Sequence, residues 1–137
     1  MPTDSAALER ICREHGVAAL YLFGSHARGT AGRSSDVDLG ILFDVAPRRT
    51  LDAYPVDLID ALQSVFSPRV DVVVLDHASP DLVHRVLRDG RLLVNRNPSR
   101  RVAFEVRKRN EFFDIQPFLR RYREAALRAL GPSDDRP

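Results

Sequence analysis

Three aspartates and a glycine-serine pair are the residues of this chain best suited to chemistry. Asp36 and Asp38 stand two apart at the head of an apolar run, so their carboxylates leave the same face of a strand. Two charges that close repel unless water screens them or a cation sits between them, and Mg²⁺ takes a few carboxylates, waters and substrate phosphates. Asp71 is the one polar residue in Val70-Asp71-Val72-Val73-Val74-Leu75. A carboxylate set in a buried apolar strand is costly unless paired or metal-bound, which makes Asp71 the natural third partner. Upstream, Gly24 lets the backbone approach a ligand closely at a strand end, and Ser25 adds a hydroxyl and an N–H where a helix can begin. Three carboxylates facing a phosphate loop describe a two-metal phosphoryl-transfer site. One metal would bridge triphosphate oxygens, and the other would lower the pKa of an attacking hydroxyl whose proton Asp71 is placed to accept.

Each piece alone is weak. A Gly-Ser pair is usually a turn, and Asp-x-Asp is usually a solvated strand end. The weight lies in the order: strand, Gly-Ser, ten residues, Asp-x-Asp opening a second apolar strand, then an isolated Asp in a third. Between the phosphate element and the metal pair lie Arg28 and Arg33, whose guanidinium groups can neutralise triphosphate charge. His26 reads as a tolerant loop position rather than a base. His15, His77 and His84 lack a second ligand at metal spacing, and Cys12 reads as a small buried hydrophobe.

The elements that must position these groups follow from periodicity. Residues 4 to 15 predict a helix capped by Asp4 or Ser5, with Leu8, Ile11 and Cys12 on one face and Gly16 ending it. Val17 to Phe23 is a continuous apolar run and predicts a strand buried on both faces. A second strand is expected from Val37 to Phe43, then a loop around Pro47, Arg48 and Arg49, a helix over 55 to 66 ended by Ser67-Pro68, and a third strand from Val70 to Leu75. Ser79-Pro80 opens a helix reaching Arg88 and closed by Gly90, and Leu92 to Val94 suggest a short fourth strand. Residues 101 to 130 are helical in pattern, with Pro117 expected to kink or divide them. The expectation is an α+β (α/β) fold in one domain: a mixed sheet of about four strands with helices packed on it. Residues 1–95 would form the core, 96–130 C-terminal helices packed on that core, and 131–137 a disordered tail.

Composition bounds the rest. A chain of 137 residues with 44% hydrophobic side chains can bury a core without disulfide or structural metal. The single cysteine excludes an internal disulfide and makes a reducing cytoplasm the expected compartment. No apolar run approaches the roughly 20 residues of a membrane span, and residues 1 to 15 lack a signal-peptide layout, so neither membrane residence nor export is expected. The net charge of +2 is a sum of unlike parts: residues 1–95 carry 10 basic and 13 acidic side chains, residues 96–137 carry 11 and 6. The basic C-terminal third suits docking on a protein with acidic patches better than nucleic acid, because little exposed aromatic character interleaves the arginines.

Written out, GSHARGTAGRSSDVDLGIL resembles the signature of the MNT-type minimal nucleotidyltransferases of the polymerase-β-like superfamily. The likeness includes Ala27-Arg28-Gly29 after the serine and Ser35 before the first aspartate, and extends through Asp71 to Asp89-Gly90-Arg91-Leu92-Leu93. The resemblance implies Mg²⁺, two ions, held at Asp36, Asp38 and Asp71, and nucleotide phosphates at Gly24 and Ser25. It implies ATP as donor and transfer of AMP with release of pyrophosphate. It also implies a partner, a HEPN-domain RNase toxin, for which the nucleotidyltransferase is the antitoxin that places AMP on a tyrosine. Two other readings stand beside it: a nucleotidyltransferase of a small hydroxylated molecule such as an aminoglycoside, and an antitoxin without catalysis that occludes its partner. A second domain to shape a small-acceptor pocket is missing from the pattern, and a complete carboxylate set disfavours pure occlusion.

Overall fold

The computed structural model describes residues 4–32, 36–48, 54–66 and 69–130. Arg33, Ser35, the Ser67-Pro68 helix stop and the tail expected at 131–137 lie outside the described residues. Two strands carry the centre of the molecule, β1 (Val17–Phe23) and β2 (Val37–Phe43). Both are apolar nearly throughout, and the first six residues of β1 are buried, as a strand covered on both faces requires. They pair antiparallel, with Phe23 opposite Asp38. The flanks are β3 (Val70–Val74), parallel to β2, and β4 (Arg91–Asn95), antiparallel to β1, giving the order β3-β2-β1-β4. The four expected strands are all present in one mixed sheet.

The strand expected to reach Leu75 stops at Val74, and Leu75–His77 form a 3-10 turn that folds Leu75 over the sheet. Gly40 makes that possible: a Cβ there would come within 3.2 Å of both Leu75 methyl carbons. Helices cover the two faces. On one, α1 (Ser5–Glu14) and α3 (Val56–Gln63) pack Leu8, Ile11, Cys12, Leu58 and Leu62 against Val37, Leu39 and Ile41. Asp4 caps α1 by accepting from the Ala7 N–H at 3.1 Å, and Gly16 ends the unit with φ +67°. Burial pushes the Cys12 thiol up to about 12, the state of an inert hydrophobe. On the other face, α4 (Pro80–Asp89) and α5 (Pro98–Leu130) bring Val83, Val86 and Phe104 onto Tyr21 and Leu42.

α5 is one helix of 33 residues; it runs through Pro117 without dividing. Its first turns are fastened by polar contacts. Arg100 bonds the buried Asp76 and donates to the Phe43 carbonyl at 3.2 Å, while the Phe43 N–H donates to Asp76 at 3.1 Å. Arg96 donates to the Val17 carbonyl at 2.9 Å and to Asp44 at 2.7 Å. Arg101 donates to Asn95 and Glu105, and the Tyr21 hydroxyl donates a hydrogen bond to Glu105. Three arginines of the basic C-terminal third therefore staple the helix to the sheet and are not part of an open docking face. Among the described residues no helix is long and apolar enough to cross a membrane.

Candidate nucleotidyltransferase site

β1 ends at Phe23, and the chain turns directly into α2 (Gly24–Arg28), a short helix that begins where Ser25 offers its N–H. Gly24 takes φ +72°, and a Cβ built on it would stand 2.1 Å from Asp38 Oδ2. Only glycine lets this turn close onto the carboxylate. α2 has no side-chain cap at its start and ends at Gly29 with φ +76°, where the Thr30 N–H donates to the Ser25 carbonyl at 2.9 Å.

The aspartates converge through sheet register. Asp38 and Asp71 are paired positions of the parallel β2–β3 ladder, so their side chains leave one face of neighbouring strands about 5 Å apart. Asp36 precedes β2 with the same parity as Asp38. The electrostatics agree: the Asp38 carboxyl is held above the usual carboxylate range, first by burial, then by the negative charges of Asp71 and Asp36, with His26 and Arg28 pulling it back down. Asp36 and Asp71, with Arg28 and His26, thus act on the Asp38 carboxyl group beside the Gly24 turn.

Two differences from the sequence reading have clear causes. Asp71 is exposed, because β3 is the edge strand of the sheet; the premise that it sits in a buried strand does not hold. Asp36 is turned toward Arg69, whose Nε and Nη2 reach its carboxylate at 3.3 and 3.4 Å. No motif marked Arg69. It lies just before β3, and its carbonyl accepts from the Val37 N–H at 2.7 Å, so the strand pairing itself delivers it to Asp36. Among the described residues no three His, Cys, Asp or Glu side chains already form a metal cage. The donor set nevertheless fits a hard divalent cation: oxygen-only ligands, two of them in paired register, with a mutual repulsion that a cation would relieve. The Arg69 guanidinium, largely exposed, balances only Asp36 and only weakly.

Arg28 is exposed and lies near enough to Asp89 to help lower that carboxyl, which Arg88 lowers most. The site thus opens at the end of the sheet where β1 finishes, β2 and β3 start, and α4 hands over to β4.

The family model described as polymerase beta, nucleotidyltransferase matches residues 7–99, about two thirds of the chain. This chain belongs to the polymerase beta nucleotidyltransferase family. The span shared with that family includes every site residue described above and stops in the first turn of α5. The protein adenylyltransferase MntA of Aphanizomenon flos-aquae (strain 2012/KM1/D3) is 32% identical over 81 residues, 54% of this chain and 54% of that protein. Protein adenylyltransferase MntA of Shewanella oneidensis (strain ATCC 700550 / JCM 31522 / CIP 106686 / LMG 19005 / NCIMB 14063 / MR-1) is 37% identical over 75 residues, 54% of this chain and 51% of that protein. The chain thus matches about half the length of these curated relatives. In fold it resembles a chain from the crystal structure of a toxin-antitoxin with AMP-PNP, with a TM-score of 0.73, 24% identity, and coverage of 90% of this chain and 98% of that one.

Proposed function

We propose that this protein is a Mg²⁺-dependent adenylyltransferase that moves AMP from ATP to a hydroxyl, a tyrosine by preference, of a partner HEPN-domain RNase toxin, and so serves as its cytoplasmic antitoxin. The observation that carries the reading is the register pairing of Asp38 with Asp71 beside a glycine turn that no other residue can form so close. The MntA relatives, named as protein adenylyltransferases, and the fold shared with a toxin-antitoxin chain support the choice of donor and acceptor.

In this reading the backbone N–H groups at Gly24 and Ser25 bind the terminal phosphates, and Arg28 and Arg33 offset their charge. Asp36, Asp38 and Asp71 would hold Mg²⁺, which when bound supplies charge neutralisation on the phosphates and acidifies the attacking hydroxyl. Asp71, exposed at the sheet edge, is the carboxylate that an incoming macromolecular hydroxyl can reach, and it takes that proton. The hydroxyl oxygen bonds to the α-phosphorus, the bond from that phosphorus to the bridging oxygen breaks, and pyrophosphate leaves with its electrons.

The test uses ATP labelled at the α-phosphate, Mg²⁺, and the purified HEPN-domain protein. The wild type should label the partner; Asp36→Ala and Asp38→Ala should bring label to background, and Asp71→Asn should slow labelling by about 10²- to 10⁴-fold. An unlabelled partner that Asp38→Ala still inhibits fully would replace transfer by occlusion.

A further inference from the structure

α5 continues about 27 Å beyond its last fully docked side chain, Phe112, at the ordinary helical rise. The same face continues with it. Ile115, Phe118, Leu119, Tyr122, Ala126 and Ala129 follow the i, i+3, i+4, i+7 spacing and fall within about 140° of the helix surface, on the side that carries Phe104 onto the sheet. In the first half this stripe meets α4 and β1. In the second the cover runs out: Ile115 and Leu119 are still half-buried, but Phe118 is 64% exposed and Tyr122 76% exposed, and every residue from 120 to 130 is exposed. A stripe this long on a helix is unstable against water without a covering surface.

The edges of the stripe say what covers it. Residues 115–130 hold four arginines (120, 121, 123 and 128) against one acid, Glu124. Arg121 stands over the Phe118 ring at 5.0 Å and Arg123 reaches back to Asp81 at 3.5 Å, while Arg120 and Arg128 have no ion pair among the described residues. A second copy would bring arginine rows against arginine rows, which a two-fold contact cannot escape. Beyond Tyr122 the stripe itself holds two alanines (126 and 129), with Leu127 and Leu130 exposed beside it; alanine gives a lipid surface little area to take up and suits close approach of another helix.

We infer that the distal face of α5 is the docking surface for a helix of the acceptor protein, one bearing an apolar stripe edged by carboxylates. The inference rests on the proposed function in taking that acceptor to be the HEPN-domain protein. Docking there holds the acceptor on the same chain as the exposed Asp71 and leaves α5's sheet-bound half undisturbed.

Binding of the full-length chain to the purified HEPN-domain protein tests it by titration calorimetry, beside the labelling assay. Tyr122→Asp and Ala126→Arg should each raise Kd at least tenfold, Tyr122→Phe should keep wild-type affinity, and Arg120→Glu with Arg128→Glu should weaken binding most at low salt. These side chains are exposed, so the variants should melt with the wild type by circular dichroism. Variant affinities within twofold of wild type would overturn the inference alone. Retained binding without AMP transfer would overturn the enzymatic reading alone, and absence of wild-type binding would overturn both. The inference also falls if the free chain is a dimer that Tyr122→Asp dissociates, or if it floats with phosphatidylserine vesicles in a Tyr122-dependent way.

Discussion

Asp38 is the residue on which site and stability pull in opposite directions. Its carboxyl is raised by burial and by two neighbouring acids, so its charged form is disfavoured in the native state relative to the unfolded chain. The sign follows. Below the unfolded carboxylate pKa both states are protonated and Asp38 changes nothing; as pH rises from the unfolded pKa to the raised folded pKa the unfolded chain ionises first and the fold weakens, and above the folded pKa the full penalty remains. Asp38→Asn should therefore raise the thermal midpoint at pH 7 by roughly 1–3 °C while abolishing transfer, and the gain should vanish as pH falls to about 3.5. Melting curves at the two pH values decide it, and an equal gain at both would show that charge is not the cause. Gly24 belongs to the same pair of constraints, since a side chain there meets Asp38 and a left-handed φ together.

At the scale of elements, the attachment of α5 decides whether the helical C-terminus is part of the domain. Asp76 is almost fully buried and holds both the Arg100 guanidinium and the Phe43 N–H. Removing the cation leaves a carboxylate in the core, so Arg100→Met should cost about 3 kcal/mol, read as a fall of roughly 10 °C in the melting midpoint. Adding Asp76→Asn should recover part of it, and a double variant no better than the single one would argue against the pair. None of this was legible from the sequence: the strand is expected to run to Leu75, nothing marks Asp76 beyond it, and Arg100 reads as one basic residue among many. The Gly-Ser to Asp-x-Asp spacing was legible, because a strand parity rule and a short connection suffice to bring those groups to one end of a sheet. Asp71 was legible as a partner and illegible as an exposed one, since edge position depends on strand order.

For the whole molecule, the split of charge acquires a shape. The acidic segment contains the candidate metal site, while part of the basic segment is used inside the fold and the rest is carried outward along α5. The fold is complete before the helix ends, because Phe104 and Phe112 are its last buried side chains. A chain cut after Gln116 should keep its melting midpoint within about 2 °C of the full protein. A loss of 10 °C would mean that the outer half stabilises the domain. A cut after Asn97 removes Phe104 and Arg100 together and should unfold the protein, which a denaturant titration would show as loss of the cooperative transition.

The sequence by itself determined the strands, the caps and the convergence of Gly24, Asp36 and Asp38, because these follow from local periodicity and from residues whose backbone or charge has few alternatives. Tertiary structure alone decided that β3 lies at the edge and exposes Asp71, that Arg69 meets Asp36, and that three arginines fasten α5. Those outcomes depend on strand order and on contacts between residues up to 84 positions apart, such as Tyr21 with Glu105. Local pattern contains no term for such distances; packing does.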